Sequence, residues 1–110
     1  MRSCFLIVFF FLTDNAFAQR VYAVNYAGQA DVKVFVVEYE SLADLKVYKS
    51  TYAETGNKNT GRWYFTNHIG LADKKIFFVD HASQADLKIF FVKYAGLAGW
   101  RNKSKRALMY

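Results

Sequence analysis

Gln29-Ala30-Asp31-Val32-Lys33-Val34-Phe35 recurs along the chain, and its recurrence points to the architecture. It returns as Leu42-Ala43-Asp44-Leu45-Lys46-Val47-Tyr48, as Leu71-Ala72-Asp73-Lys74-Lys75-Ile76-Phe77 and as Gln84-Ala85-Asp86-Leu87-Lys88-Ile89-Phe90. A worn copy reads Leu97-Ala98-Gly99-Trp100-Arg101. Alanines 30 and 43, then 72, 85 and 98, are thirteen residues apart. The wider gap from Ala43 to Ala72 holds AETGNKNTG (53–61), the stretch with loop composition. Fixed-period self-similarity of this kind marks a repeat architecture.

Each repeat has two halves. One is a run of β-branched and aromatic residues, which reads as a strand. Six such runs lie near 21–26, 33–39, 46–52, 62–68, 75–81 and 88–94. The other half is a connector such as Ala82-Ser83-Gln84-Ala85-Asp86, read as a single helical turn with its alanine packed inward. Ser41-x-x-Asp44 and Ser83-x-x-Asp86 resemble a capping box. The fold expected is therefore mainly β, six short strands in a strand-plus-helical-turn repeat. Parallel neighbours need a crossover of about a dozen residues, and only six or seven separate these runs. That favours an antiparallel meander sheet or small barrel. The alternative is a compact parallel β-solenoid, which would stack Asp31 over Asp44.

Composition sets the outer limits. The chain has 110 residues, 22% charged, with no proline and one cysteine. This is one small domain, and neither a disordered chain nor a disulfide framework. Mean hydropathy near zero (−0.02) excludes a multi-span membrane protein. Residues 1–18 read as a signal peptide: Arg2 gives a positive start, Cys4 to Leu12 is apolar, and Ala16-Phe17-Ala18 offers a cleavage site. Residues 19–110 would then form the exported domain, periplasmic or extracellular, with a basic C-terminal tail (101–110).

The unit S-x-A-D-x-K-[V/I]-[Y/F]-x-V-x-Y resembles that of a family of short exported bacterial proteins, domain of unknown function 6150. The similarity runs from Val21 to Tyr110 and includes Trp63-Tyr64-Phe65 and Leu108-Met109-Tyr110. Gly28, Gly70 and Gly96 stand where the unit has serine, and His68 and His81 where it has tyrosine. The resemblance implies no catalytic residue and no cofactor.

Three groups remain as candidate sites. His68 and His81 occupy equivalent repeat positions and, with Asp73 or Asp80, would offer half a metal site or an acid–base pair. The bland reading is two half-buried strand ends. Asp31, Asp44, Asp73 and Asp86 each precede a lysine by two residues, which suggests local ion pairs or, less simply, a cation ladder. Arg101, Lys103, Lys105 and Arg106 carry much of the net charge of +6. With Trp100 they would either bind an anionic envelope polymer or surface protein, or cap the fold. No nucleophile-base spacing, P-loop or nucleic-acid signature is present. The function expected is a non-enzymatic binding or structural module of the bacterial envelope, with self-association through sheet edges as a further expectation. The alternative is a small metal-binding or hydrolytic protein using His68 and His81.

Overall fold

The computed structural model describes residues 18–51 and 59–110. The residues of the expected signal before Ala18, and most of the expected insertion, lie outside that range. Each of the six expected runs holds a strand, ending two or three residues short of the expected end because the chain there turns into the connector: β1 (Gln19–Ala23), β2 (Val32–Val36), β3 (Leu45–Lys49), β4 (Arg62–Phe65), β5 (Lys74–Phe78) and β6 (Leu87–Val92). A short β7 (Gly99–Trp100) and a 3-10 turn at Lys103–Met109 complete the described chain.

Between strands, the connectors at Ala27–Gln29, Glu40–Leu42, Ile69–Leu71, Ala82–Gln84 and Ala95–Leu97 are single 3-10 turns. Each is closed by the repeat alanine, whose N–H donates to the first carbonyl of the turn, as Ala43 does to Glu40 at 3.1 Å. Ala43 is buried and Ala85 half-buried. Tyr26, Tyr39, His68, His81 and Tyr94 precede the turns in extended conformation, and none makes a side-chain cap. The expected capping boxes therefore do not form. Ser41 and Ser83 sit inside their turns, and the aspartates are engaged elsewhere.

The pairing corrects the expected antiparallel meander. The six long strands close into a barrel in the order β4-β1-β5-β2-β6-β3, with β3 returning to β4, and every one of these pairs is parallel. Consecutive strands are mostly not neighbours: β5 lies between β1 and β2, and β6 between β2 and β3. The chain thus winds round the axis with β1 to β3, then winds again with β4 to β6 in the gaps. Nor is it a simple solenoid, in which successive coils would be neighbours.

Stagger explains how so short a connector joins parallel strands. Ala23, near the top of β1, is level with Ile76, and Ile76 is level with Val32, where β2 begins. The connector has no return journey to make. It moves sideways past one strand, about 10 Å at a spacing of about 4.8 Å per strand. The dozen-residue rule governs a crossover back to the bottom of the sheet, and this barrel has none.

Inward-pointing residues alternate along each strand and fill the barrel: Val21, Val32, Val34, Leu45, Val47, Trp63, Ile76, Leu87 and Ile89, none more than 1% exposed. Each such side chain stabilises the fold by about 1.5–3 kcal/mol on burial. The wall closes where Tyr48 meets Arg62 and Lys49 meets Trp63. Gly61 leads into this seam with φ +92°, and a Cβ there would lie 2.5 Å from the Lys46 carbonyl oxygen. Gly61→Ala is expected to cost about 2–3 kcal/mol through strain and displaced backbone. A thermal melt checks it, with Gly28→Ala as the near-neutral control because open space surrounds that position.

Candidate functional site

The repeat aspartates act as register clamps. Lys75 N donates to Asp31 Oδ2 at 2.9 Å, while Asp31 N donates to the Lys75 carbonyl at 2.7 Å. The same reciprocal pair joins Asp44 to Lys88, Asp73 to Arg20 and Asp86 to Lys33. Each carboxylate stands just before one strand and takes the free N–H of the strand beside it, 44 or 53 residues away in sequence. The basic residues matter here for their backbone. The expected local Asp-x-Lys ion pairs do not form among the described residues, and Lys46 pairs instead with Glu40 at 3.6 Å. What the sequence signalled was the recurrence of Asp at one repeat position. Its partner could not be read without the strand order.

In the worn fifth copy, Gly99 replaces the aspartate and the chain leaves the spiral. β7 pairs antiparallel with β3, Lys46 facing Gly99 and Leu45 facing Trp100. Asn102 then starts the last turn, its Oδ1 accepting from Ser104 N and Oγ. That turn drives Met109 into the core, fully buried, where its carbonyl accepts from Gln19 Nε2. Trp100 Nε1 donates to Asn59 Oδ1 at 3.0 Å, and Asn59 Nδ2 donates to the Arg106 carbonyl at 2.8 Å.

The basic residues of this tail are mostly occupied by their own chain. Arg101 Nη1 donates to the carbonyls of Glu40, Ser41 and Ala43. Lys105 Nζ donates to the Asp86 carbonyl and lies 3.4 Å from Asp44 Oδ2. Arg106 donates to the Tyr110 hydroxyl at 3.0 Å. Lys103 is exposed, without such a bond among the described residues. Asp44 gathers most of these contacts. Its burial pushes the carboxyl up, but the Lys88 N–H, the Asn102 side chain and the Lys105 ammonium outweigh burial and hold it below its usual value of 3.8.

The outer wall carries a repeated feature that the strand-by-strand reading missed. Three open apolar clefts lie at the ends of the neighbouring strands β5, β2 and β6. The first, about 340 Å³, is lined by Ala27, Lys33, Phe77, Val79 and Gln84. The second, about 420 Å³, is lined by Phe35, Val37, Tyr39, Leu42 and Ala82 among others, with one cation, Lys88, and one carboxylate, Glu38. The third, about 260 Å³, holds Glu40, Phe90, Val92, Tyr94 and Leu97. Phe77, Phe35 and Phe90 occupy equivalent repeat positions. The turn Ala82–Gln84 borders the first and second clefts, and the turn Glu40–Leu42 the second and third. The clefts therefore form one stepped band. Tyr39 and Tyr94 stand on it two-thirds exposed. Such a surface offers aromatic faces for stacking and, at Lys33 and Lys88, ammonium groups for an anion.

His68 and His81 are exposed and follow β4 and β5, which flank β1. Two strand spacings, about 10 Å, separate those strands. Among the described residues no three His, Cys, Asp or Glu side chains gather as a metal site would require. A family model described as the 7(1) septoil knot domain matches residues 18–101, a span that takes in all seven strands. No curated protein and no solved structure matches the chain.

Proposed function

The chain belongs to the 7(1) septoil knot domain family, and from that premise we propose that it is an exported, non-enzymatic module that binds an anionic polymer of the bacterial envelope. The observation that carries this reading is the band of three equivalent clefts with Lys33 and Lys88 in the first two. Repetition suits a ligand that itself repeats. Export rests on the apolar N-terminal stretch and the Ala16-Phe17-Ala18 motif. Among the described residues no helix is long and apolar enough to cross a membrane. Kinship with the short exported proteins of domain of unknown function 6150 is proposed from the resemblance of the repeat unit alone, and would agree with an envelope setting.

Within this reading the tail around Trp100 serves the fold first, since Arg101, Lys105 and Arg106 each hold main-chain or side-chain groups of the domain. Lys103 is left to face a ligand. Binding of exported protein to acidic polysaccharide, measured at low and high salt, tests the proposal. Attraction to lysines at the surface, such as exposed Lys33 and half-buried Lys88, is screened within about 8 Å at physiological ionic strength. Binding should fall with salt, Lys33→Gln with Lys88→Gln should remove most of the salt-sensitive part, and Tyr39→Ser should weaken the remainder. Binding unaffected by these changes would defeat the assignment of the clefts. Mass spectrometry of exported protein should find Gln19 at the N-terminus, and intact Met1 there would defeat export with cleavage.

A further inference from the structure

Inside the base of the barrel, Gln19 and Trp63 face one another as register partners on β1 and β4. Both are fully buried. On adjacent parallel strands, residues in register point to the same face, here the interior. Gln19 Oε1 and Trp63 Nε1 are also the buried side-chain polar atoms that lack a hydrogen-bond partner among the described residues. One is an acceptor and the other a donor, so their needs are complementary. The glutamine cannot simply turn its amide round. Its Nε2 donates to the Met109 carbonyl, which fixes Oε1 as the end that needs a donor.

We infer that this pair forms an internal binding site for a single water molecule, which accepts from Trp63 Nε1 and donates to Gln19 Oε1. A buried water makes about two to four hydrogen bonds to groups that would otherwise go unpaired, and this site supplies the first two. The consequence is structural and specific. The water would couple β4 to β1 beneath the seam, and through the same carboxamide to Met109. The base of the barrel, the first strand and the C-terminal cap then share one hydrogen-bonded chain. This inference is independent of the outer clefts and of any ligand they hold.

A high-resolution crystal structure of the folded protein, with the Gln19 carboxamide uncyclised, tests it directly. The expected result is one ordered solvent atom within hydrogen-bond distance of both Trp63 Nε1 and Gln19 Oε1. A direct Trp63–Gln19 hydrogen bond, or a dry interior with both atoms unpaired, would overturn it. A solution measurement reads the same point without mutation. Of the two indole N–H signals, that of Trp63 should exchange slowly with deuterium yet show cross-relaxation to a long-lived bound water. Slow exchange with no such cross-relaxation would also overturn the site.

Discussion

Deletion of residues 100–110 is expected to abolish the cooperative unfolding transition. Met109 lies fully inside the core cluster, and Trp100 and Leu108 pack against it. Truncating a single buried Met to Ala typically costs about 2–5 kcal/mol, while a whole small domain is stable by about 5–15 kcal/mol. The deletion removes all three side chains. It also leaves Gln19 Nε2 without its acceptor and the Asp44 carbonyl without the N–H groups of Arg101 and Asn102. Thermal melts should show no transition for the deletion, and a clear but lowered one for Met109→Ala, by about 2–4 kcal/mol. Within the basic run, Arg101→Gln and Lys105→Gln should each destabilise measurably, and Lys103→Gln should not. A deletion variant that melts like the intact domain would show that the C-terminal turn is not a core element.

Asp44→Ala should be the most damaging single change among the four clamps, at about 2–4 kcal/mol. It leaves the Lys88 N–H without its acceptor, and Asn102 and Lys105 without a carboxylate. Unmet polar groups of this kind cost about 1–3 kcal/mol each. The clamps of Asp31, Asp73 and Asp86 are exposed, so their loss should cost about 1 kcal/mol apiece. Acid sensitivity follows from the same site. A carboxyl whose folded pKa is depressed stabilises the fold above its unfolded value, here 3.8, and that contribution is lost as pH falls through the folded value. Stability measured between pH 5 and 2, on the order of the range in which carboxylates titrate, should fall more steeply for the unaltered protein than for Asp44→Asn. Parallel curves would mean that Asp44 carries no net charge-dependent stabilisation.

The local elements were legible in the sequence because local chemistry dictates them. Val34-Phe35-Val36 and Ile76-Phe77-Phe78 could only be strands beside connectors too short for a full helix. The alanine period announced the repeat. Strand order was not legible, since the partners of β2 come from the far half of the chain, and a thirteen-residue repeat pairs equally well on paper with its next copy. Stagger is a global property of the closed barrel, and no dipeptide encodes it. Asp31 illustrates the limit. Its recurrence is plain, but its role depends on Lys75, 44 residues on. Met109 shows another limit: in the sequence, capping of the fold by the tail is an open alternative to binding, but that Met109 rather than Tyr110 enters the core is set by the 3-10 turn at Lys103–Met109.

The winding itself is tested most directly by inter-strand proton contacts in the NMR spectrum of the folded domain. Interleaved parallel strands require Hα-to-amide contacts linking β2 to β5 around Val32 and Ile76, and β2 to β6 around Val34 and Leu87. They also require that no ladder link β1 to β2. Close Hα–Hα contacts between consecutive strands, β1 with β2 or β2 with β3, are the mark of an antiparallel meander and would contradict the account.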